Sequence, residues 1–468
     1  FFPLIDVFQK ELLLVASVLF LIGSFDDLVF DCLWIGYALK RKFFVYTKHQ
    51  RMSVELLPPS QSGDMLAIFV PAWREAPVIG AMLKRCLAQW ESQNFRIYVG
   101  CYPNDEQTVA AVITAVQGSK NVRLVICNRK GPTTKADCLN QLWAALCQDE
   151  LMEKLKFSAI ILHDAEDLVH PKALNVFEHL ADRATLIQIP VIPRRAVQSR
   201  WIAGHYCDEF AEQHGKQMVL REALGVAIPS AGVGCAFSKD ALGRLSMQSG
   251  GMPFDASSLT EDYELGLNLT EGDGRGIFVR LKDQDGQLVA TQEFFPENIE
   301  DAVRQKSRWM MGIALSGWDR LGWNQSLREN WLRFRDRKAS LAAIVLAIAY
   351  MAILLTFILA VTQFTGIYKP HPISEFLKTL LYLNAVFLCW RLIFKAGFVF
   401  HLYGVTEALY SIPRTIVANI INMMAARQAI GKYLQSLSGA KVDWDKTRHF
   451  MPDSPDVSKL KSAKIGTQ

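Results

Sequence analysis

The stretch FSAIILHDAED, residues 157–167, sets an apolar run directly against three acids. Its first six residues, branched, aromatic and apolar, read as a short buried strand. The three carboxylates that follow repel one another, so something at the strand end must compensate. Two readings answer this. Clustered carboxylate oxygens hold a hard divalent cation such as magnesium or manganese. Alternatively the loop is solvated, and Asp167 caps a helix over PKALNVFEHL, residues 171–180.

Working outward, MLAIFVPA, FRIYVGCY, VRLVICN and TLIQIPVI repeat the strand pattern. Between several of them lie helical stretches: PVIGAMLKRCLAQW, EQTVAAVITAVQG and KADCLNQLWAALCQ. This alternation predicts a mainly parallel sheet covered by helices, an α/β fold. Ligands of such sheets bind beyond the carboxyl ends of the strands. The ends here are polar: PAWRE (71–75), YPNDE (102–106), NRKG (128–131) and HDAED. They are expected to converge on one rim. No GxxxxGK[ST] phosphate loop, GxSxG elbow or zinc-type histidine motif is present.

Two further segments carry candidate chemistry. SLTEDYELGLNL (258–269) reads as a helix start with Thr260 as its cap and Glu261 and Asp262 in the first turn, where the helix dipole favours acids. In RQKSRW (304–309), Gln305, Arg308 and Trp309 stand at i, i+3 and i+4, one helix face. Either segment alone is compatible with ordinary helix surface.

The chain has 468 residues, half of them hydrophobic, and a net charge of +5, which gives no argument for a nucleic-acid partner. Its nine cysteines form no CxxC pair and no zinc spacing, and read as reduced thiols. Residues 1–42 lack a basic leader and a cleavage site, and end in Lys40, Arg41 and Lys42. They are expected to be a membrane span with its N-terminus outside. A cytoplasmic catalytic domain is expected over 43–330, and further spans over 339–361 and 376–397. Amphipathic interfacial helices are expected over 398–435, and a polar linker or tail over 436–468. Asp26, Asp27 and Asp31 are costly in lipid, so they are expected in a bundle interior, along a polar path or at the span's end.

The order VPAWRE, YPND, KADCLN, DAED, TED, QKSRW resembles the processive family-2 glycosyltransferases, the relatives of cellulose, hyaluronan and chitin synthases. SFDDLVFD, HDAEDLVHP and AGVGCAFS (231–238) are most similar to its phage adsorption protein B branch of inner-membrane transferases. The resemblance implies a GT-A fold and a multi-pass protein of the bacterial inner membrane. It implies a UDP-sugar donor, Mg2+ or Mn2+, and a growing glycan as acceptor. Residue by residue, it implies Glu75, Asp105 and Lys135 at the nucleotide, and Asp164 and Glu166 at the diphosphate and metal. The family's usual second acid in that motif is Asp, so direct ligation by Glu166 is in doubt. It further implies Asp262 as catalytic base with Glu261 beside it, and Gln305, Arg308 and Trp309 holding diphosphate and acceptor. Cys235, in AGVGCAFS, would border the acceptor end. The branch suggests a UDP-N-acetylhexosamine, UDP-N-acetylmannosamine foremost, an exported or surface polysaccharide and an outer-membrane export partner. It also suggests cyclic-di-GMP control through a domain outside this sequence. The rival readings are a single-addition transferase acting on a polyprenyl phosphate and a non-catalytic membrane receptor or scaffold.

Overall fold

The computed structural model describes residues 1–58, 63–90, 93–324 and 326–438. The expected tail therefore lies, from residue 439 on, outside the described residues. A first helix, α1 (Phe2–Lys40), leads into the α/β unit. There, β1 (Met65–Pro71), α2 (Ala76–Gln89), β2 (Phe95–Cys101), α3 (Glu106–Val116), β3 (Val122–Ile126), α4 (Lys135–Glu153) and β4 (Phe157–Leu162) alternate as the sequence predicts. Next come α5 (Ala173–Leu180), β5 (Leu186–Gln188), β6 (Val191–Pro193), α6 (Ile202–Glu212), α7 (Met218–Ala223), β7 (Cys235–Ser238) and α8 (Lys239–Gln248). The unit closes with α9 (Glu261–Thr270), β8 (Gly276–Phe278), β9 (Thr291–Glu293) and α10 (Ile299–Trp309). Then follow α11 (Gly317–Leu321), α12 (Leu327–Arg337), α13 (Ala339–Phe364), α14 (Glu375–Tyr403) and α15 (Val405–Leu437).

Seven strands form one sheet in the order β3-β2-β1-β4-β7-β5-β8. Only β7 runs antiparallel to its neighbours. Alternate residues of β1 feed two cores: Leu66, Ile68 and Val70 face one, Ala67 and Phe69 the other. TLIQIPVI is not one strand. The chain turns at Ile189 and Pro190, and β6 pairs with β9 in a separate two-stranded ribbon.

Among the described residues, three helices are long and apolar enough to cross a membrane: the one beginning at Phe2, Ala339–Phe364 and Glu375–Tyr403. The last exceeds the expected 376–397: the helix runs through Gly397 and stops only at Gly404, which adopts φ +83°. After it comes a single helix, α15, where several interfacial ones are expected, and it packs on α6, α10, α13 and α14. The acids of α1 named above are paired. Asp26 and Asp27 pair with Arg335 and Lys338, and Asp31 accepts from Lys216 at 2.5 Å and from Trp390 at 2.9 Å. These bonds tie α1 to α12, α14 and the α/β unit.

Candidate active site

At the end of β4 the three acids of HDAED separate into two roles. Asp167 points inward, fully buried. Its Oδ2 lies 2.6 Å from His163 Nδ1 and accepts the Asp164 backbone N–H at 3.2 Å. It caps no helix, since α5 starts at Ala173 after Lys172. Burial pushes His163 down to about 4, and burial followed by Asp164 and Glu166 pushes Asp167 well up. The buried pair braces the loop from below. Asp164 and Glu166 turn instead to a cleft above the sheet.

That cleft gathers Glu75, Lys135, Asp164, Glu166, Glu261, Asp262, Gln305, Arg308 and Trp309. It is open to solvent on one side. Lys135 opens α4, whose cap Thr134 accepts the Asp137 N–H, and its Nζ donates to Asp164 Oδ1 at 2.6 Å. Burial works against the Lys135 charge, but Asp164, Glu261 and Asp262 outweigh it and hold the ammonium protonated.

Asp262 sits in the first turn of α9, with Oδ1 accepting the Tyr263 N–H at 2.8 Å. Its other oxygen lies against Gly232, where a Cβ would approach to 2.1 Å. Gly232 is at φ +77°, so both backbone and space require glycine there. This is the physical content of the small residues in AGVGCAFS. Thr260 takes the cap position, yet its buried hydroxyl makes no cap bond and has no partner among the described residues. The expected cap is therefore positional only. Burial raises Asp262, and burial followed by the Asp262 charge pushes Glu261 up to about 7.

The third group arrives on α10, capped by Asn298. Gln305, Arg308 and Trp309 face the cleft, and the Gln305 Oε1 is a second orphaned buried acceptor. Trp309 stands edge-on to Tyr206 with ring centres 6.1 Å apart. Lys306 points the other way, donating to Glu209 at 2.5 Å and Asn422 at 3.0 Å. The same helix is thus presented to the cleft on one side and gripped by α6 and α15 on the other.

Two expected site residues lie outside the cleft lining. Asp105 caps α3 and accepts the Arg74 N–H at 2.6 Å, and so shapes the segment carrying Glu75. Cys235 is buried in β7, 3.1 Å from Ser230 Oγ, and burial pushes its thiol up to about 12. Glu293 lines the cleft and escapes the sequence reading. It ends β9, which a bridge between Leu168 and Gln292 fastens to the HDAED loop. Burial, then Asp167, Asp164 and Glu166, pushes Glu293 well up. The only signal in the sequence is an acid closing a three-residue strand, too short to register.

The lining thus holds six carboxylates, Glu75, Asp164, Glu166, Glu261, Asp262 and Glu293, against two cations, Lys135 and Arg308. Among the described residues, no group of three or more His, Cys, Asp or Glu is arranged to enclose a metal ion. The two oxygen donors Asp164 and Glu166 nevertheless fit magnesium or manganese. Such ions commonly take one or two carboxylates and complete their shell with substrate phosphates and water.

A mainly parallel sheet with this cleft at its strand ends defines a GT-A-type glycosyltransferase, here attached to membrane-length helices. The chain belongs to the family described as glycosyltransferase like family 2, which matches residues 63–312. It is 37% identical to bacteriophage adsorption protein B of Escherichia coli K12 over 96% of its own length, and covers 64% of that protein. Bacteriophage N4 adsorption protein B of Escherichia coli O157:H7 matches with the same identity and coverage. The chain thus spans somewhat under two thirds of these relatives. Among solved structures, it is similar to the mannosyltransferase PcManGT from Pyrobaculum calidifontis, in complex with GDP-Man and Mn2+. The TM-score is 0.52 at 14% identity, covering 91% of this chain and 99% of that one.

Proposed function

We propose that the protein is an inverting, processive transferase of the bacterial inner membrane. It adds sugars from a UDP-activated donor, a UDP-N-acetylhexosamine such as UDP-N-acetylmannosamine, to a growing glycan bound for the cell surface. The supporting observation is the meeting of Asp164 and Glu166, Glu261 and Asp262, and Gln305, Arg308 and Trp309 on one cleft, from stretches up to 145 residues apart (309 − 164). The basic residues Lys40, Arg41 and Lys42 after α1, and Arg335, Arg337 and Lys338 before α13, favour a cytoplasmic catalytic domain. The relatives' role in bacteriophage adsorption fits a transferase whose product or assembly reaches the surface.

In this reading the acceptor hydroxyl attacks the anomeric carbon in line. Its proton passes to an Asp262 carboxylate oxygen as the new C–O bond forms. The bond from carbon to the phosphate oxygen breaks, and UDP leaves with the electron pair. Lys135 and Arg308 stabilise the charge gathering on the leaving diphosphate, Arg308 through its two-pronged donor set. A bound divalent ion, held by Asp164 with Glu166 beside it, would neutralise further phosphate charge. Trp309 offers a flat apolar face to an acceptor ring, and Gln305 an amide to its hydroxyls. The test is incorporation of labelled sugar in membranes by wild type and Asp262→Asn, with product sizing. Long chains support polymerisation, a single added sugar on a lipid supports the polyprenyl-phosphate reading, and undiminished turnover in the variant removes the base assignment.

A further inference from the structure

Arg337 ends α12, two residues before the apolar helix α13 begins at Ala339. Its side chain is fully buried, and none of its three nitrogens has a hydrogen-bond partner among the described residues. The guanidinium lies between two indoles, 5.4 Å from the ring centre of Trp318 and 5.3 Å from that of Trp323. Those rings meet edge to face at 5.0 Å, and Trp323 keeps about half its surface in solvent.

The acids that would ordinarily answer such a charge are engaged elsewhere. Asp336 accepts from both terminal nitrogens of Arg221 and from the Tyr263 hydroxyl. Glu271 accepts from Arg333 and Asn324. An arginine carries five N–H donors and cannot shed its proton, so burying it unpaired is strongly destabilising. Two cation–π contacts recover only part of that. The position supplies the missing partner. The start of a membrane span is the depth of lipid headgroups, where tryptophan also concentrates. The guanidinium fork matches a phosphate in two-point fashion.

We propose that Arg337, framed by Trp318 and Trp323, binds a phosphate group at the membrane surface, the anion entering beside Trp323. Gly322, at φ +53°, ends α11 and leads directly into Trp323. A phospholipid headgroup and a free phosphate share this chemistry, and this site stands apart from the donor cleft.

The experiment follows the melting temperature of the full chain in phosphate-free maltoside micelles. Inorganic phosphate is added against chloride at equal ionic strength, and in a second arm phosphatidylglycerol is mixed into the micelles. The expected result is a saturable rise of a few degrees in the wild type with at least one probe, and none in Arg337→Met. Without either probe, Arg337→Met should melt no lower than wild type, because it removes an unpaired charge. A response to lipid alone identifies the headgroup as the source, and a response to both identifies the phosphate group itself. Should Arg337→Met not fold, Arg337→Lys serves, with a response at least threefold weaker. The proposal is overturned if neither probe moves the wild type, or if wild type and variant move alike.

Discussion

The chain crowds acids in two places, and treats them in opposite ways. On α1, Asp26, Asp27 and Asp31 meet Arg335, Lys338 and Lys216, with indole donors from Trp331 and Trp390 completing the set. In the cleft, six carboxylates share two cations, and burial pushes Glu261, Asp262 and Glu293 upward. The first cluster is neutralised by the fold itself and serves as a fastening. The second lines an open cleft beside Lys135 and Arg308, where something from outside can join it. A carboxylate cluster is therefore informative through its pairing, not its density.

The contrast can be broken from either side. The largest effect expected is in Asp262→Asn, which should lower sugar transfer by about 10²- to 10⁴-fold while leaving the melting temperature near that of wild type. Retained turnover would place the base elsewhere. On the fastening side, Lys216→Met strands Asp31 among buried groups and should lower stability by about 3–5 kcal/mol in denaturant or thermal unfolding. A shift under 1 kcal/mol would mean that α1 is not fastened there. Next comes Gly232→Ala, whose new methyl meets an Asp262 oxygen. Displacing a catalytic group by about 1 Å can cost roughly 10²-fold, so kcat should fall steeply with little change in nucleotide affinity.

A smaller effect concerns pH. Asp262 must be unprotonated to accept a proton, and its raised pKa means that kcat should climb as pH rises through the titration of the Glu261–Asp262 pair, near 7 for Glu261. Glu261→Gln removes one negative neighbour and should move that limb to lower pH. An unmoved limb would separate the two acids. Smallest of all, Glu375→Gln cuts an exposed pair with Lys378 and should leave the melting temperature unchanged.

Much of this was legible in the sequence, and the gaps have physical causes. The alternation of strands and helices, the three apolar helices and the three motif groups could all be read, because each signal is local and periodic. The convergence of the motifs follows from parallel topology, which sends strand ends to one rim. The split of TLIQIPVI was hidden because a buried strand and a bend through Ile189 and Pro190 share the same apolar composition. The inward turn of Asp167 depends on His163 four residues earlier, a pair that a capping pattern imitates. The fastening of Asp26 depends on Arg335, 309 residues away, and no local pattern announces such a partner. Glu293 was missed because its three-residue strand acquires meaning only when Gln292 bridges to Leu168.

The central claim is that the acid-lined cleft accepts a nucleotide diphosphate only together with a divalent cation. Calorimetric titration of UDP into the purified full chain, with and without Mn2+, tests it most directly. The account predicts saturable binding with Mn2+, at least tenfold weaker binding without it, and loss of the Mn2+-dependent part in Asp164→Asn. Equal UDP affinity with and without the cation, or no binding under saturating Mn2+, would contradict it.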